Sequence, residues 1–222
     1  MSGPEHDLAR ALTDGALVLG LHLSEQQHAR LLAYGVLILK WNKVYNLTAV
    51  REPAAVLTHH LLDSLAVIAP LRRELAKLPG KTAKVRLLDV GSGAGLPGAV
   101  IAILNDDIDV SCLDAVAKKV AFVQQVASEL RLPNLRGIHA RIETLTEGYD
   151  VVSSRAFASL ADFFAGSEKA LAPHGFWLAM KGKLPTEELA VLPPNVDVFH
   201  VEQLTVPGLD AERCIVWAKR AG

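Results

Sequence analysis

The chain has 222 residues, room for one ordinary domain with an appendage or at most two small ones. Half of the residues are hydrophobic and 21% are charged, which excludes a disordered chain and predicts a sizeable core. Lys and Arg number 23 against 24 Asp and Glu, a net charge of −1. No general, charge-driven affinity for nucleic acid or anionic membrane is therefore visible, and any nucleic-acid contact has to be local.

Two cysteines, Cys112 and Cys214, cannot make a disulfide framework, and each sits in an apolar run. They read as reduced core thiols of a cytosolic protein. The first ten residues, MSGPEHDLAR, carry acids and no apolar segment, so no signal peptide is expected. No apolar stretch approaches the ~20 residues of a membrane span. A soluble, cytoplasmic protein is the expectation.

Residues 1–84 hold ten Lys/Arg and seven Asp/Glu, whereas residues 85–222 hold thirteen and seventeen. The first region reads as helices. Ser24 followed by Gln27 is a capping-box signal. After it Leu31, Leu32, Gly35, Val36, Leu39 and Val44 recur at helical spacing. A second helix starts near Pro53, a good first-turn residue, and should bury Val56, Leu57, Leu61, Leu65 and Ile68. Leu78–Lys84 (LPGKTAK) reads as a linker.

From Val85 the period changes. VRLLDV is a short run that is apolar almost throughout, as befits a parallel strand covered on both faces. A glycine-rich turn follows, then a helix beginning near Pro97. The pattern repeats as strand IDVSCLD, helix VAKKVAFVQQVASEL, strand LRGIHA, strand YDVVSS, helix LADFFAGSEKAL and strand GFWLAMK. Alternation of this kind predicts a doubly wound α/β fold with a parallel sheet and right-handed crossovers. The end differs: VDVFHVEQLTV and RCIVWAKR flank the turn-former PGLDAE, a terminal antiparallel hairpin.

The sharpest local signal is the segment 87–98, LLDVGSGAGLPG, in which Gly93, Gly95 and Gly98 satisfy G-x-G-x-x-G. It lies between a strand and a helix, where glycines let the backbone turn tightly and let a ligand lie against it. Two nucleotide-type ligands compete for it. A dinucleotide would put a pyrophosphate at the helix N-terminus. S-adenosylmethionine carries a sulfonium and no phosphate. Asp89, just before the glycines, would crowd a pyrophosphate and suit a cation. Asp114 closes the next strand, where a carboxylate can accept both ribose hydroxyls, and serves either ligand.

At this point the chain resembles the bacterial small-subunit ribosomal RNA guanine-N7 methyltransferases, also called glucose-inhibited division protein B. The matching residues are Trp41–Arg51 (WNKVYNLTAVR), His60–Leu65 (HLLDSL) and Asp89–Gly98 (DVGSGAGLPG). Asp114 with Lys118–Lys119, Arg141–Glu143 (RIE), Ser154–Phe157 (SRAF) and Lys181–Gly182 complete the series. Ala94 departs from the Pro that the family often has there. The resemblance implies a class I S-adenosylmethionine-dependent methyltransferase domain over 85–222, a helical extension over 1–84, and a guanine in a structured loop of 16S rRNA as substrate. It implies that Asp89, Gly91, Ser92, Gly93, Gly95, Leu96 and Asp114 form the cofactor loop and its neighbours, with Ile142 and Glu143 against the adenine. Asn46 and Arg155 fall near methyl transfer, Arg155 also beside the cofactor.

The residues present agree with that chemistry. Guanine N7 carries a lone pair and no proton, so its methylation needs no general base, and positioning with electrostatics can suffice. Neither cysteine suits a C5 nucleophile, being in apolar runs. Pro193-Pro194 is followed by Asn195, the wrong order for methylating an exocyclic amine. Basic residues follow several strand ends: Lys118, Lys119, Arg141, Arg155, Lys181 and Lys183. Such a rim would position an RNA backbone. Arg155 stands out because it interrupts the apolar stretch VVSSRAFA. His59, His60 and Asp63 lack further ligands for a metal and read as polar residues on a helix surface, with a weak case for contacting the substrate; no metal is expected. Tyr34, Trp41 and Tyr45 share helical spacing and read as packing groups. The expected protein is thus a monomeric 16S rRNA methyltransferase that meets its RNA within the small ribosomal subunit. An NAD(P)-dependent oxidoreductase and a non-catalytic ribosome-binding adaptor remain the competing readings.

Overall fold

The computed structural model describes residues 3–78, 84–157 and 159–222. Helices come first. α1 spans Pro4–Val18 and α2 spans Glu25–Tyr45. Ser24 caps α2 reciprocally with Gln27, each side chain accepting the other's backbone N–H. The face that α2 buries is only partly the expected one, with Leu31 and Gly35 buried and Leu32 and Leu39 partly buried against the core. Leu31, Tyr34, Gly35, Leu37, Ile38 and Asn42 are buried, while Val36 and Val44 stand exposed. Between 31 and 39 the helix is apolar around most of its circumference, so spacing alone does not choose a face.

The second helical run comprises α3 (Pro53–Val56), a π-helical turn (Leu57–Leu62), α4 (Asp63–Leu65) and α5 (Ile68–Leu75). It buries Val56, Leu57, Leu61, Leu65 and Ile68 as predicted. One expectation fails here. By length and composition the run Pro53–Leu75 could cross a membrane, yet 72% of its most apolar part is buried inside the fold. The core absorbs that surface. The linker expected over Leu78–Lys84 lies, apart from its two ends, outside the described residues.

The second half is the predicted alternation. β1 (Val85–Val90), α6 (Gly98–Leu104), β2 (Ile108–Asp114), α7 (Ala117–Glu129), β3 (Leu135–His139), β4 (Tyr149–Arg155), α8 (Leu160–Ser167) and β5 (Leu171–Lys181) follow in order. α9 (Thr186–Ala190), a short helix with no sequence forecast, leads to β6 (Val196–Leu204) and β7 (Arg213–Arg220). The seven strands lie in the order β3-β2-β1-β4-β5-β7-β6. β1 to β5 pair in parallel, and β7 runs antiparallel between β5 and β6. The terminal hairpin therefore extends the sheet, with its second strand next to β5.

Strand alternation divides the core into two layers. On one face Leu87, Cys112, Phe176, Leu178, Ile215 and Trp217 meet α6, α7 and the N-terminal helices. On the other face Leu88, Val90, Trp177, Ala179, Val216 and Ala218 meet Phe163 and Phe164 of α8. Both cysteines are free and buried, and burial pushes their thiols up. Strand order reverses between β1 and β4, which opens a crevice at the strands' carboxyl ends.

Gly98, where α6 starts against β1 and β2, shows how close this packing is. A Cβ there would lie 2.5 Å from the Cys112 sulfur and 3.0 Å from a carboxylate oxygen of Asp89. We expect Gly98→Ala to destabilise the fold by about 1–3 kcal/mol through overpacking. Denaturant unfolding measures it, and adding Cys112→Ala should return part of the loss.

Candidate active site

The glycine loop after β1 is built on positive backbone angles, with φ of +66° at Gly91, +59° at Gly93 and +82° at Gly95. These glycines do different work. A Cβ on Gly93 would meet nothing within 4 Å, so its face is open to a ligand. A Cβ on Gly95 would meet Val123 at 3.2 Å and the Tyr34 hydroxyl at 3.4 Å, so Gly95 serves packing. Tyr34 also donates from its hydroxyl to the Ala94 carbonyl and stacks on Phe122, which ties α2 to the loop.

Two acids hold the loop from different sides. Asp114 Oδ2 accepts the Gly93 N–H at 3.0 Å, and Oδ1 accepts the Val116 N–H at 2.9 Å. Lys119 Nζ lies 3.6 Å from the same carboxylate. Asp89 is fully buried beneath the loop, with Oδ2 accepting the Gly98 N–H at 3.0 Å and Oδ1 accepting the Ser153 hydroxyl at 2.9 Å. The sequence suggested that Asp89 faces a cation of the ligand. Its carboxylate instead faces protein on all sides, and burial raises its pKa to about 6 despite the two hydrogen bonds.

In front of the loop lies a cavity of about 670 Å³. One wall is the N-terminal region, with Leu47, Thr48, Val50, His59, His60 and Asp63. The floor is the loop itself, Gly91 to Ala94 with Leu96. The far wall comes from the ends of β4 and β5 and from α9: Arg155, Ala156, Met180 to Lys183, Pro185 and Glu188, with Arg213 from β7. Ala156 has φ +57°, a strained value for a residue with a Cβ, set directly after Arg155 on this wall.

Asp63 joins the walls. Its Oδ2 receives Arg155 Nη1 at 3.1 Å and its Oδ1 receives Arg213 Nε at 2.7 Å. The carboxylate is 3% exposed, whereas the two guanidinium side chains keep 22% and 24%. Arg155 Nη1 also donates to the His59 carbonyl at 3.2 Å. Asp63 was read as a helix-surface residue. It is instead the buried counter-ion of two arginines, which removes it as a metal ligand.

His60 was read likewise and is also buried. Its Nδ1 faces the His59 carbonyl at 2.9 Å, an acceptor only, so the proton sits there. Nε2 then accepts the Thr48 hydroxyl at 2.8 Å. Burial, with Arg155 adding to it, lowers the His60 pKa to about 4. Asn42 fixes the same loop by donating to the Val50 carbonyl and accepting the Thr48 N–H, both at 2.9 Å.

The other expected site residues divide into two groups. Gly91, Ser92, Gly93, Leu96, Arg155, Lys181 and Lys183 line the cavity together. Lys181 Nζ is paired with Glu188 at 2.8 Å. Asn46, Asp114, Lys118, Lys119, Arg141, Ile142 and Glu143 lie outside its lining. Asn46 is the left-handed C-cap of α2, with φ +49°, and its side chain accepts from Arg51 at 3.4 Å. Ile142 is buried and Glu143 exposed on a 3₁₀ turn after β3. Thr48, Glu188 and Arg213 are polar lining residues to which sequence reasoning gave no role, and His60 and Asp63 had only a weak case for contacting the substrate. Thr48, His60 and Asp63 lie within quoted motifs; Thr48 and His60 pair with each other across 12 residues, whereas the partners of Asp63 lie 92 and 150 residues away.

Comparison with known proteins bears on this site. The family model described as rRNA small subunit methyltransferase G matches residues 27–216. The Ribosomal RNA small subunit methyltransferase G of Acidovorax sp. (strain JS42) is 64% identical over 212 residues, 94% of each chain. That of Albidiferax ferrireducens is 63% identical over 220 residues, covering 97% of this chain and 98% of its own. Among solved structures, TrmN from Thermus thermophilus superposes with a TM-score of 0.56 at 19% identity, over 74% of this chain and 53% of that one. A SAM-dependent methyltransferase from Aquifex aeolicus gives 0.52 at 16% identity, over 75% and 97%. These two show the fold. The oxidoreductase and adaptor readings find no support among them.

Two expectations follow from the geometry. Removing the shared carboxylate with Asp63→Ala leaves two arginines unpaired but within reach of water, a loss we put at about 2–4 kcal/mol. The thermal midpoint should fall by roughly 5–10 °C; a fall of a degree or less would show that the pairs are surface-like. The second concerns pH. His60 titrates at 6.5 when unfolded and at about 4 when folded, so between these values only the unfolded chain takes the proton. His60 thus costs stability as pH falls from 6.5 to 4. Asp89 acts oppositely, because its folded pKa of about 6 exceeds the reference 3.8 and the folded state binds its proton first. In urea titrations from pH 7 to 4, His60→Gln should gain on the wild type by about 2–3 kcal/mol. Parallel curves would refute the buried neutral imidazole.

Proposed function

The chain belongs to the rRNA small subunit methyltransferase G family, and we propose that it methylates N7 of a guanine in 16S rRNA within the small ribosomal subunit. It is an S-adenosylmethionine-dependent methyltransferase. The observation that carries the finer reading is the cavity itself. An open glycine face and four cationic side chains, Arg155, Lys181, Lys183 and Arg213, meet at one set of strand ends in a nearly neutral chain. That combination suits a nucleoside-type donor beside an anionic acceptor.

The residues present fit the cofactor. Gly93 offers a backbone face where a side chain would intrude, and the Asp114 carboxylate hydrogen-bonds its N–H. Gly91, Ser92, Gly93, Leu96 and Asp114 would hold it, with Ile142 and Glu143 on the adenine side. When bound, S-adenosylmethionine supplies an electrophilic methyl group on a sulfonium. Asp89 and Gly95 act on the loop, the first by anchoring the Gly98 N–H and the second by packing on Val123 and Tyr34.

The protein's share of the work is positioning. Guanine N7 is already a nucleophile, and no proton has to leave before it attacks. The cavity agrees: its buried imidazole, His60, has a pKa of about 4 and a lone pair occupied by the Thr48 hydroxyl, so it is a poor base. Arg155, oriented by Asp63 and the His59 carbonyl, presents its remaining N–H groups toward substrate. Lys118, Lys119, Arg141, Lys181 and Lys183 contact the RNA in this reading, and Asn46 stands near the transfer. We place the protein in the cytoplasm, as a monomer that docks on the subunit.

The test uses labelled S-adenosylmethionine and small subunits from cells lacking the protein, with the product mapped by mass spectrometry. One N7-methylguanine in 16S rRNA is the expected result. No incorporation by a protein that binds the cofactor would overturn the assignment of substrate.

A further inference from the structure

A guanine methyltransferase has to tell guanine from the other bases, and the acids of the cavity are the natural place to look. Guanine presents one acceptor, O6, followed by two donors, N1–H and the N2 amino group. Adenine presents a donor, the N6 amino group, then an acceptor, N1, and only C–H at position 2. A side-chain pair that offers a cation and then a carboxylate is complementary to guanine and not to adenine, and the N2 amino group adds a second donor for the carboxylate.

Two carboxylates line the cavity among the described residues, Asp63 and Glu188. Asp63 is sealed at 3% exposure and holds an arginine on each oxygen. Glu188 keeps 33% of its side chain exposed. Its Oε1 pairs with Lys181 Nζ at 2.8 Å, and its Oε2 accepts the Leu160 N–H, the first residue of α8, at 2.6 Å. A carboxylate has about four acceptor sites, so each oxygen can take one further donor. Lys181 has three donors, of which Glu188 uses one. The pair is thus anchored by the backbone of α8 and by the end of β5, and open toward the cavity.

Its position suits the task. The glycine loop follows β1, and Lys181 ends β5, two strands away in the order β1-β4-β5. At the usual strand spacing that is about 10 Å. N7 and the N2 amino group lie at opposite ends of the purine. A base with N7 toward the loop would turn its other edge toward the β5 side of the cavity.

We propose that the Lys181–Glu188 pair is the guanine-reading edge of this site, with Glu188 accepting N1–H and the N2 amino group and Lys181 donating to O6. This rests on the guanine methylation proposed above and adds the residue that sets the choice of base.

The experiment compares small subunits reconstituted with 16S rRNA carrying either guanosine or inosine at the mapped target. Inosine lacks the N2 amino group and keeps N7. The wild type should methylate the guanosine subunit about tenfold or more faster in kcat/KM. Glu188→Gln keeps an acceptor for the Leu160 N–H, so α8 retains its anchor, and the ratio should fall to near one. Glu188→Ala should give the same ratio at a lower rate. Unchanged calorimetric binding of S-adenosylmethionine would locate the effect at the substrate. A slower variant that preserves the wild-type ratio would overturn the proposal and leave Glu188 as a structural anchor. A wild type that does not distinguish the two subunits would overturn it as well. A wild type that makes no N7-methylguanine on the natural subunit would refute the underlying assignment instead.

Discussion

One buried carboxylate holds this cavity together. Asp63 follows the π-helical turn of the N-terminal run and takes Arg155 from the end of β4 and Arg213 from the start of β7. A carboxylate taken out of water needs compensation on both oxygens, and here each has a guanidinium. The arginines in turn are less buried than their partner, so they retain water and free N–H groups on the cavity side. The π-turn belongs to the same arrangement. It puts the His59 carbonyl within reach of Arg155 and sets His60 against Thr48, so one helical irregularity joins the N-terminal wall of the site to the far wall.

The acids of the site show how surroundings assign roles to one residue type. Asp89 has neutral donors only and complete burial, and its charged form is disfavoured. Asp114 hydrogen-bonds two backbone N–H groups with a lysine nearby and borders the open Gly93 face. Asp63 has two full cationic partners. Glu188 has one lysine and one N–H, and keeps the most access. Buried Asp89 and enclosed Asp63 stabilise the frame, Asp114 holds the glycine loop, and Glu188 keeps capacity for a further donor.

Most of the fold was legible in sequence because it rests on local pattern. Strands buried on both faces read as apolar runs, Ser24 and Gln27 announced α2, and the glycines announced a loop that only positive φ can make. The site was legible in part, for the same reason. Arg155 showed itself by interrupting an apolar strand. Its partner did not, since Asp63 lies 92 residues away, and Arg213 lies 150 residues from Asp63. A carboxylate on a helix looks solvated until the chain brings an arginine to it. α9 is five residues long with no buried side chain, too short for a period to emerge, so Glu188 had no signal at all. The face of α2 was only partly legible because a helix apolar nearly all round leaves the choice to tertiary packing, here to Tyr34 bonding the glycine loop.

The absence of a proton from the proposed reaction explains why so much of the site is locked. Where an enzyme must move a proton, a group near neutrality has to be exposed and free to exchange it. This cavity has its buried histidine held neutral and hydrogen-bonded, and its arginines tied to a fixed acid. None of these groups is free to shuttle a proton, and each is well placed to hold a direction. For a displacement that depends on alignment of attacking atom, methyl group and leaving sulfur, direction is the quantity that matters, and small misplacement is costly. Rigid ion pairs at the walls and an open backbone at the floor supply it. The same reasoning accounts for the balance of charge. The two lining acids among the described residues neutralise part of four lining cations, leaving a local excess of positive charge in a chain whose net charge is −1. An anionic substrate is then attracted at the site and not along the whole surface, so the field favours arrival in one orientation over adhesion anywhere.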